Sequence, residues 1–182
     1  MPFSDFKTLK RLLKSDLSAL PVIKVALLGD TATQFLATAI RGTGVERGYN
    51  IDLYEAEYNQ IERELLDPTS EFYEFNADFI ILFQSTHKLG ESHAMLSSEQ
   101  QTTLAEDRLN FVASVCSNPT LEGKKIIYFN YPEIDDAVFG SYANHVPQSL
   151  TWQVRRLNCG LMGVLCLRPL SFGDEEPSPS SL

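Results

Sequence analysis

VIKVALLGDTATQF, residues 22–35, decides how the rest of the chain is read. Residues 22–29 are almost continuously apolar, the pattern of a strand covered on both faces. The run ends in Gly29, Asp30 and Thr31, and a helical pattern follows. Three more strand-like runs lie downstream. YNIDLYEAEY (49–58) alternates and is placed nearer a sheet edge. ADFIILFQS (77–85) and KKIIYFNYP (124–132) are apolar and bounded by polar or turn residues. Helix-like segments at 32–47, 59–75 and 99–117 separate the strands, and a further one spans 147–162. Strands joined through helices pair in parallel. The expected fold is therefore α/β: a doubly wound parallel sheet in a three-layer α/β/α sandwich. Such sheets carry their chemistry beyond the carboxyl ends of the strands. The loops after Leu28, Phe83 and Phe129 are the places to look.

The flanks are simpler. Residues 1–21 are expected to hold an amphipathic helix over 4–20, packed on the domain, with Ser4 as N-cap and Pro21 as stop. Lys7, Lys10, Arg11 and Lys14 lie between its apolar positions, so a basic helix at a lipid surface is the alternative. Residues 22–168 form the α/β domain. The tail, 169–182, is acidic and rich in Pro and Ser and is expected to be disordered. It starts soon after LMGVLCLRPL, where another strand would be expected, so the chain reads as truncated there.

A length of 182 residues suits one domain with a real core. The net charge of −9 leaves no basic excess to neutralise phosphates, so neither nucleic acid nor membrane is an expected partner. The three cysteines, Cys116, Cys159 and Cys166, are odd in number and form no Cys-x-x-Cys pair. No signal peptide or membrane-length apolar run is present. A cytoplasmic setting is expected.

The turn at 29–31 has two readings. Gly29 suits a tight strand exit, and Asp30 or Thr31 could cap the next helix. Alternatively Thr31 is a nucleophile, or the remnant of one, at a helix N-terminus. Phosphate-binding patterns fail by spacing. GDTATQFL (29–36) is not a P-loop, and Thr31 and Gln34 stand where a dinucleotide fingerprint needs glycines. Ala32 and Gln34 break the Asp-x-Asp-x-Thr phosphatase pattern.

Gly29-Asp30-Thr31 resembles block I of the SGNH hydrolases, with threonine in the serine's place. The longer runs LLGDTATQFLATAIRG, YEAEYNQIERELLDPTSEFYEFNADFIILF and NYPEIDDAVFGSYAN resemble the N-terminal domain of FkbH-like proteins, subfamily IIIC of the haloacid-dehalogenase phosphatases. The resemblance covers roughly residues 22 to 162. It implies an SGNH-hydrolase-like, flavodoxin-like fold. It also implies that a magnesium-dependent phosphatase domain follows in full-length members, some of which load a glyceryl unit onto an acyl carrier protein. The chain contains no Asp-x-Asp-x-Thr, so phosphatase activity is not carried over. No cofactor is expected in this chain; magnesium belongs to the absent domain. The partners implied are an acyl carrier protein or that phosphatase domain.

An SGNH hydrolase needs a serine, Gly and Asn oxyanion donors, and a late Asp-x-x-His. Here the serine is Thr31. FQSTHKL places Gln84, Ser85, Thr86 and His87 where the Asn belongs. No Asp-x-x-His precedes His87, His93 or His145. Removing one oxyanion donor slows such enzymes by roughly 10²–10³, and losing the base removes nucleophile activation as well. The expected role is accessory or binding, for glyceryl or acyl transfer. The alternative is a weak ester hydrolase or acyltransferase using Thr31, Asp30 and His87. Gly29, Gln84, Ser85 and Asn130 are the candidate substrate-binding residues. Asn130 also reads as a turn residue before Tyr131-Pro132, and Asp135-Asp136 as a solvated helix start. Glu55 and Tyr58 are notable by resemblance, though a partly exposed strand also explains them. Trp152 reads as core or docking surface.

Overall fold

Val22–Gly29 forms the strand β1, and its side chains feed two cores at once. Ala26 and Leu28 face one layer, with Ile80, Leu82, Val112, Leu157 and Leu161. Val25 and Leu27 face the other, with Ala37, Ile51 and Ile81. A strand alternating between two dry layers has no polar face to show, which is why the sequence runs apolar without a break. The computed structural model describes residues 4–135 and 138–166.

β2 (Asn50–Glu55), β3 (Phe79–Phe83) and β4 (Lys125–Tyr128) complete a four-stranded sheet of order β2-β1-β3-β4. Every pairing is parallel. Val25 pairs with Phe79 and Gly29 with Phe83, which brings the ends of β1 and β3 together. β2 lies at the edge, as its alternation predicted. The fold is the three-layer α/β/α sandwich.

One layer contains α2 (Gln34–Glu46), with α1 (Phe6–Leu12) packed against it. The opposite layer contains α3 (Ile61–Leu66), α4 (Glu71–Phe75), α5 (Thr86–Met95), α7 (Leu104–Cys116) and α8 (Leu150–Cys166). A single turn, α6 (Ser98–Gln101), precedes α7 and is closed by a Ser97–Gln100 capping box.

Several helices differ from expectation. α1 ends at Leu12 rather than running to residue 20, and its N-cap is Asp5, whose carboxylate accepts from Thr8 N–H at 2.7 Å. Ser4 instead bonds Glu46. Leu9 is the buried contact, lying over Gly42, where an added Cβ would come within 2.6 Å of the Leu9 Cβ. One expectation holds: the 59–75 segment splits at Asp67-Pro68 into α3 and a short α4, as the proline predicts. Its turn is closed by the Asp67 carboxylate on Thr69, while the Ser70 hydroxyl donates to Glu64 O rather than capping α4. The segment after β3, expected as a polar loop around His87 and Lys88, is the helix α5. Of its residues only Thr86 and Leu89 are buried, so it lacks the apolar stripe that announces a helix. The helix expected over 99–117 starts at Leu104, and α8 runs to Cys166. The expected tail, 169–182, and Asp136 lie outside the described residues; Asp135 is exposed.

Candidate functional site

β1 leads into α2 on one layer and β3 into α5 on the other. The chain therefore leaves two adjacent strand ends in opposite directions and opens a crevice between them, the switch point where doubly wound folds bind ligands. Asp30 sits there, 8% exposed. Its N–H donates to Phe83 O at 3.3 Å, and its Oδ1 accepts from Ser85 N–H at 2.8 Å. One residue thus ties both strand exits together. Asp30 does not cap α2, and neither does Thr31. The cap position is Thr33, whose hydroxyl donates to Glu55 instead.

The crevice is a cavity of about 400 Å³. Asp30, Gln84, Lys88, Arg108 and Tyr131 line it, with Asn59 and Glu62 from the segment after β2. Asn59 takes a left-handed backbone, φ 57°, and its N–H reaches Gly29 O at 3.3 Å. Gln84 Oε1 accepts from both Tyr128 and Tyr131, whose hydroxyls lie 2.9 Å apart. The two phenol protons satisfy at most two of these three contacts as hydrogen bonds, so the phenol oxygens keep free acceptor lone pairs. Burial pushes both phenols above the ordinary tyrosine range, so they act as neutral hydrogen-bonding groups. Asn158 of α8 holds Tyr131 in place: its Oδ1 accepts from Tyr131 N–H at 2.9 Å, and its Nδ2 donates to Tyr131 O at 2.8 Å.

The cations are partnered. Lys88 lies 2.9 Å from Glu91 and 5.8 Å from the Tyr58 ring centroid; the Glu91 contact raises its pKa. Arg108 lies 3.6 Å from Glu62. Both pairs are exposed enough to exchange a carboxylate for an incoming anion at little cost. Among the described residues, no three or more His, Cys, Asp or Glu side chains gather as metal ligands.

Burial raises the Asp30 pKa above the usual carboxylate range, opposed by the Ser85 N–H and, more weakly, by Arg108 and Lys88. A carboxyl raised by folding stabilises fully below its unfolded pKa. That contribution is lost as pH climbs through the folded value. Asp30→Asn keeps an acceptor for Ser85 and removes the buried charge. Its melting temperature is expected to exceed wild type at pH 7, with the gap closing as pH falls into the carboxylate range. Thermal melts across pH check this; a gap that stays flat would mean the Asp30 charge carries no folding penalty.

The structure brings some of the candidate residues together and separates others. Asp30 and Gln84 line the cavity. Gly29 supplies a carbonyl to Asn59, and an added Cβ there would meet Thr33 Cγ2 at 2.5 Å. Ser85 contributes its N–H to Asp30, while its hydroxyl caps α5 by accepting from His87 N–H. Thr31 is partly exposed and outside the lining, and no hydrogen bond joins it to His87 among the described residues. His87 and Asn130 are exposed and also outside the lining. Reading by sequence missed Lys88, Arg108, Asn59 and Tyr131 as lining groups. Only Tyr131 carried a signal, as the aromatic inside NYPEIDD just past a strand.

The fold and its switch-point cavity define a doubly wound α/β/α domain built around a polar, mixed-charge crevice. The chain belongs to the FkbH N-terminal domain family: the family model described as FkbH, N-terminal domain, matches residues 24–172. It is also similar to a crystal structure of the N-terminal part of the protein BF1531 from Bacteroides fragilis, described as containing a phosphatase domain and complexed with Mg. The TM-score is 0.86 at 52% identity, over 91% of this chain and 43% of that one. The chain thus spans less than half of that protein's crystallised length. The comparison with curated proteins gives no match. Among the described residues, no helix is long and apolar enough to cross a membrane.

Proposed function

We propose that this domain is an SGNH-like binding module that serves glyceryl or acyl transfer to a carrier protein, beside a phosphatase domain of the longer protein. The observation that carries the reading is the cavity lining. Lys88 and Arg108 offer exchangeable cations for an anionic donor or carrier arm, and Asp30 and Gln84 offer hydrogen bonds. The same lining contains neither His nor Cys, and two of its carboxylates, Glu91 and Glu62, are paired with Lys88 and Arg108. The SGNH likeness is supported by Gly29-Asp30 at the end of β1 and by the sheet order. The cytoplasm is the compartment we propose, on the odd cysteine count.

Calorimetric titration with a phosphorylated three-carbon acid and with an acyl carrier protein tests the reading. Wild type is expected to bind at least one of them. Arg108→Ala should weaken binding by about tenfold or more, since a charge-assisted contact is worth roughly 1.5–3 kcal/mol. A nitrophenyl ester should not be turned over. Ester turnover abolished by Thr31→Ala would replace the binding reading with a hydrolase.

A further inference from the structure

The outward face of α1 has no role in the cavity. Lys7, Lys10 and Arg11 stand at i, i+3 and i+4, which places them on one helical face. Lys14 follows in the turn, its N–H bonded to Arg11 O at 3.0 Å. Together with Thr8 these four line a shallow groove of about 460 Å³. All four are exposed, and none takes part in an ion pair among the described residues. Residues 7–14 contain no acid, so the segment carries +4 and the rest of the chain −13. Such a concentration of one sign on an acidic protein sets up a local field of its own.

Aromatic surface borders the stripe. Phe6, one position round the helix from Lys10, packs on Phe35 of α2 with ring centroids 5.5 Å apart. Their exposures are 39% and 76%. Aromatic rings beside arginine are the composition of protein interface centres. A lipid-bound helix needs an apolar face to insert. The apolar face of α1 is already spent inside the protein, where Leu9 is buried over Gly42.

We propose that the Lys7–Lys10–Arg11–Lys14 stripe, edged by Phe6 and Phe35, docks an acidic helix of a partner protein. Its carboxylates would follow the same i, i+3, i+4 spacing, and an apolar side chain of the partner would meet the two rings. The groove runs along α1, so a helix laid beside it pairs charge with charge over successive turns. This docking does not depend on what the cavity holds.

The probe is a fluorescent, amidated alanine-based helix with Glu at i, i+3, i+4 and i+7, followed by anisotropy against the full chain. Phosphatidylglycerol–phosphatidylcholine vesicles are assayed in parallel by cosedimentation. The peptide is expected to bind, more weakly as salt is added. Lys10→Glu with Arg11→Glu should lower its affinity by about tenfold or more at unchanged melting temperature. If that double variant fails to fold, Lys7→Gln with Lys14→Gln must still weaken binding several-fold. Absence of peptide binding, or affinity indifferent to these changes, overturns the proposal. Vesicles bound in preference to the peptide would reassign the face to a membrane and overturn it equally.

Discussion

Replacing Gln153 with leucine is expected to cost about 3 kcal/mol of stability, out of all proportion to the change in shape. Gln153 lies on α8 and is 1% exposed. Its Oε1 accepts from Ala105 N–H at 2.8 Å; its Nε2 donates to Thr102 O at 3.0 Å and to Pro147 O at 2.6 Å. Thr103, the residue in the N-cap position of α7, makes no side-chain cap bond. A side chain from another helix therefore satisfies the start of α7. Ala105 is 1% exposed, so water has poor access to the N–H that leucine would strand. A buried polar group left unpaired forfeits about 1–3 kcal/mol, and three partners lose their bond here. Urea unfolding measures the loss; a value under about 1 kcal/mol would show that water reaches Ala105 after all. Because α7 also carries Arg108, a loosened helix start should also loosen the Arg108–Glu62 contact.

Leu28→Ala is expected to destabilise by about 2–5 kcal/mol, the range for emptying a leucine site in a core. Leu28 is 0% exposed and pairs in register with Leu82 of β3. It also immediately precedes Gly29 and Asp30. The vacated volume therefore lies directly beneath the turn that spans the strand ends, and the Ser85 N–H to Asp30 bond should lose hydrogen-exchange protection along with global stability. Denaturant midpoints and amide exchange at Ser85 report the two effects. Full protection at Ser85 in a destabilised variant would mean that the crevice is held by α5 and not by β1.

Both predictions turn on elements of unequal legibility. β1 follows its expected bounds because a strand dry on both faces leaves no alternative reading of its residues. The other strands fall inside the stretches expected for them, shorter at the ends where polar neighbours take over. Despite its Ser85 cap, α5 carries no apolar stripe, since Thr86 and Leu89 alone bury against the core, and its order owes more to tertiary position. α1 is shorter than the leucine spacing predicts, because after Leu12 that spacing continues while the backbone passes into turns. In the cavity, Asp30 and Gln84 could be found because strand ends mark the switch point. Thr31, next to Asp30, lies outside the lining, as successive side chains at a strand exit diverge. Lys88, Arg108 and Tyr131 arrive from three different elements, and no local spacing relates them.

Periodicity and turn chemistry alone determined the layered α/β class, the central place of residues 22–29 and the edge of the sheet where a ligand would enter, because these follow from which faces must stay dry. Only the tertiary structure decided which charges share the crevice, which residue caps α7 and which side of α1 is left outward. Those outcomes depend on how separate elements pack against one another, and packing is set by the whole core at once.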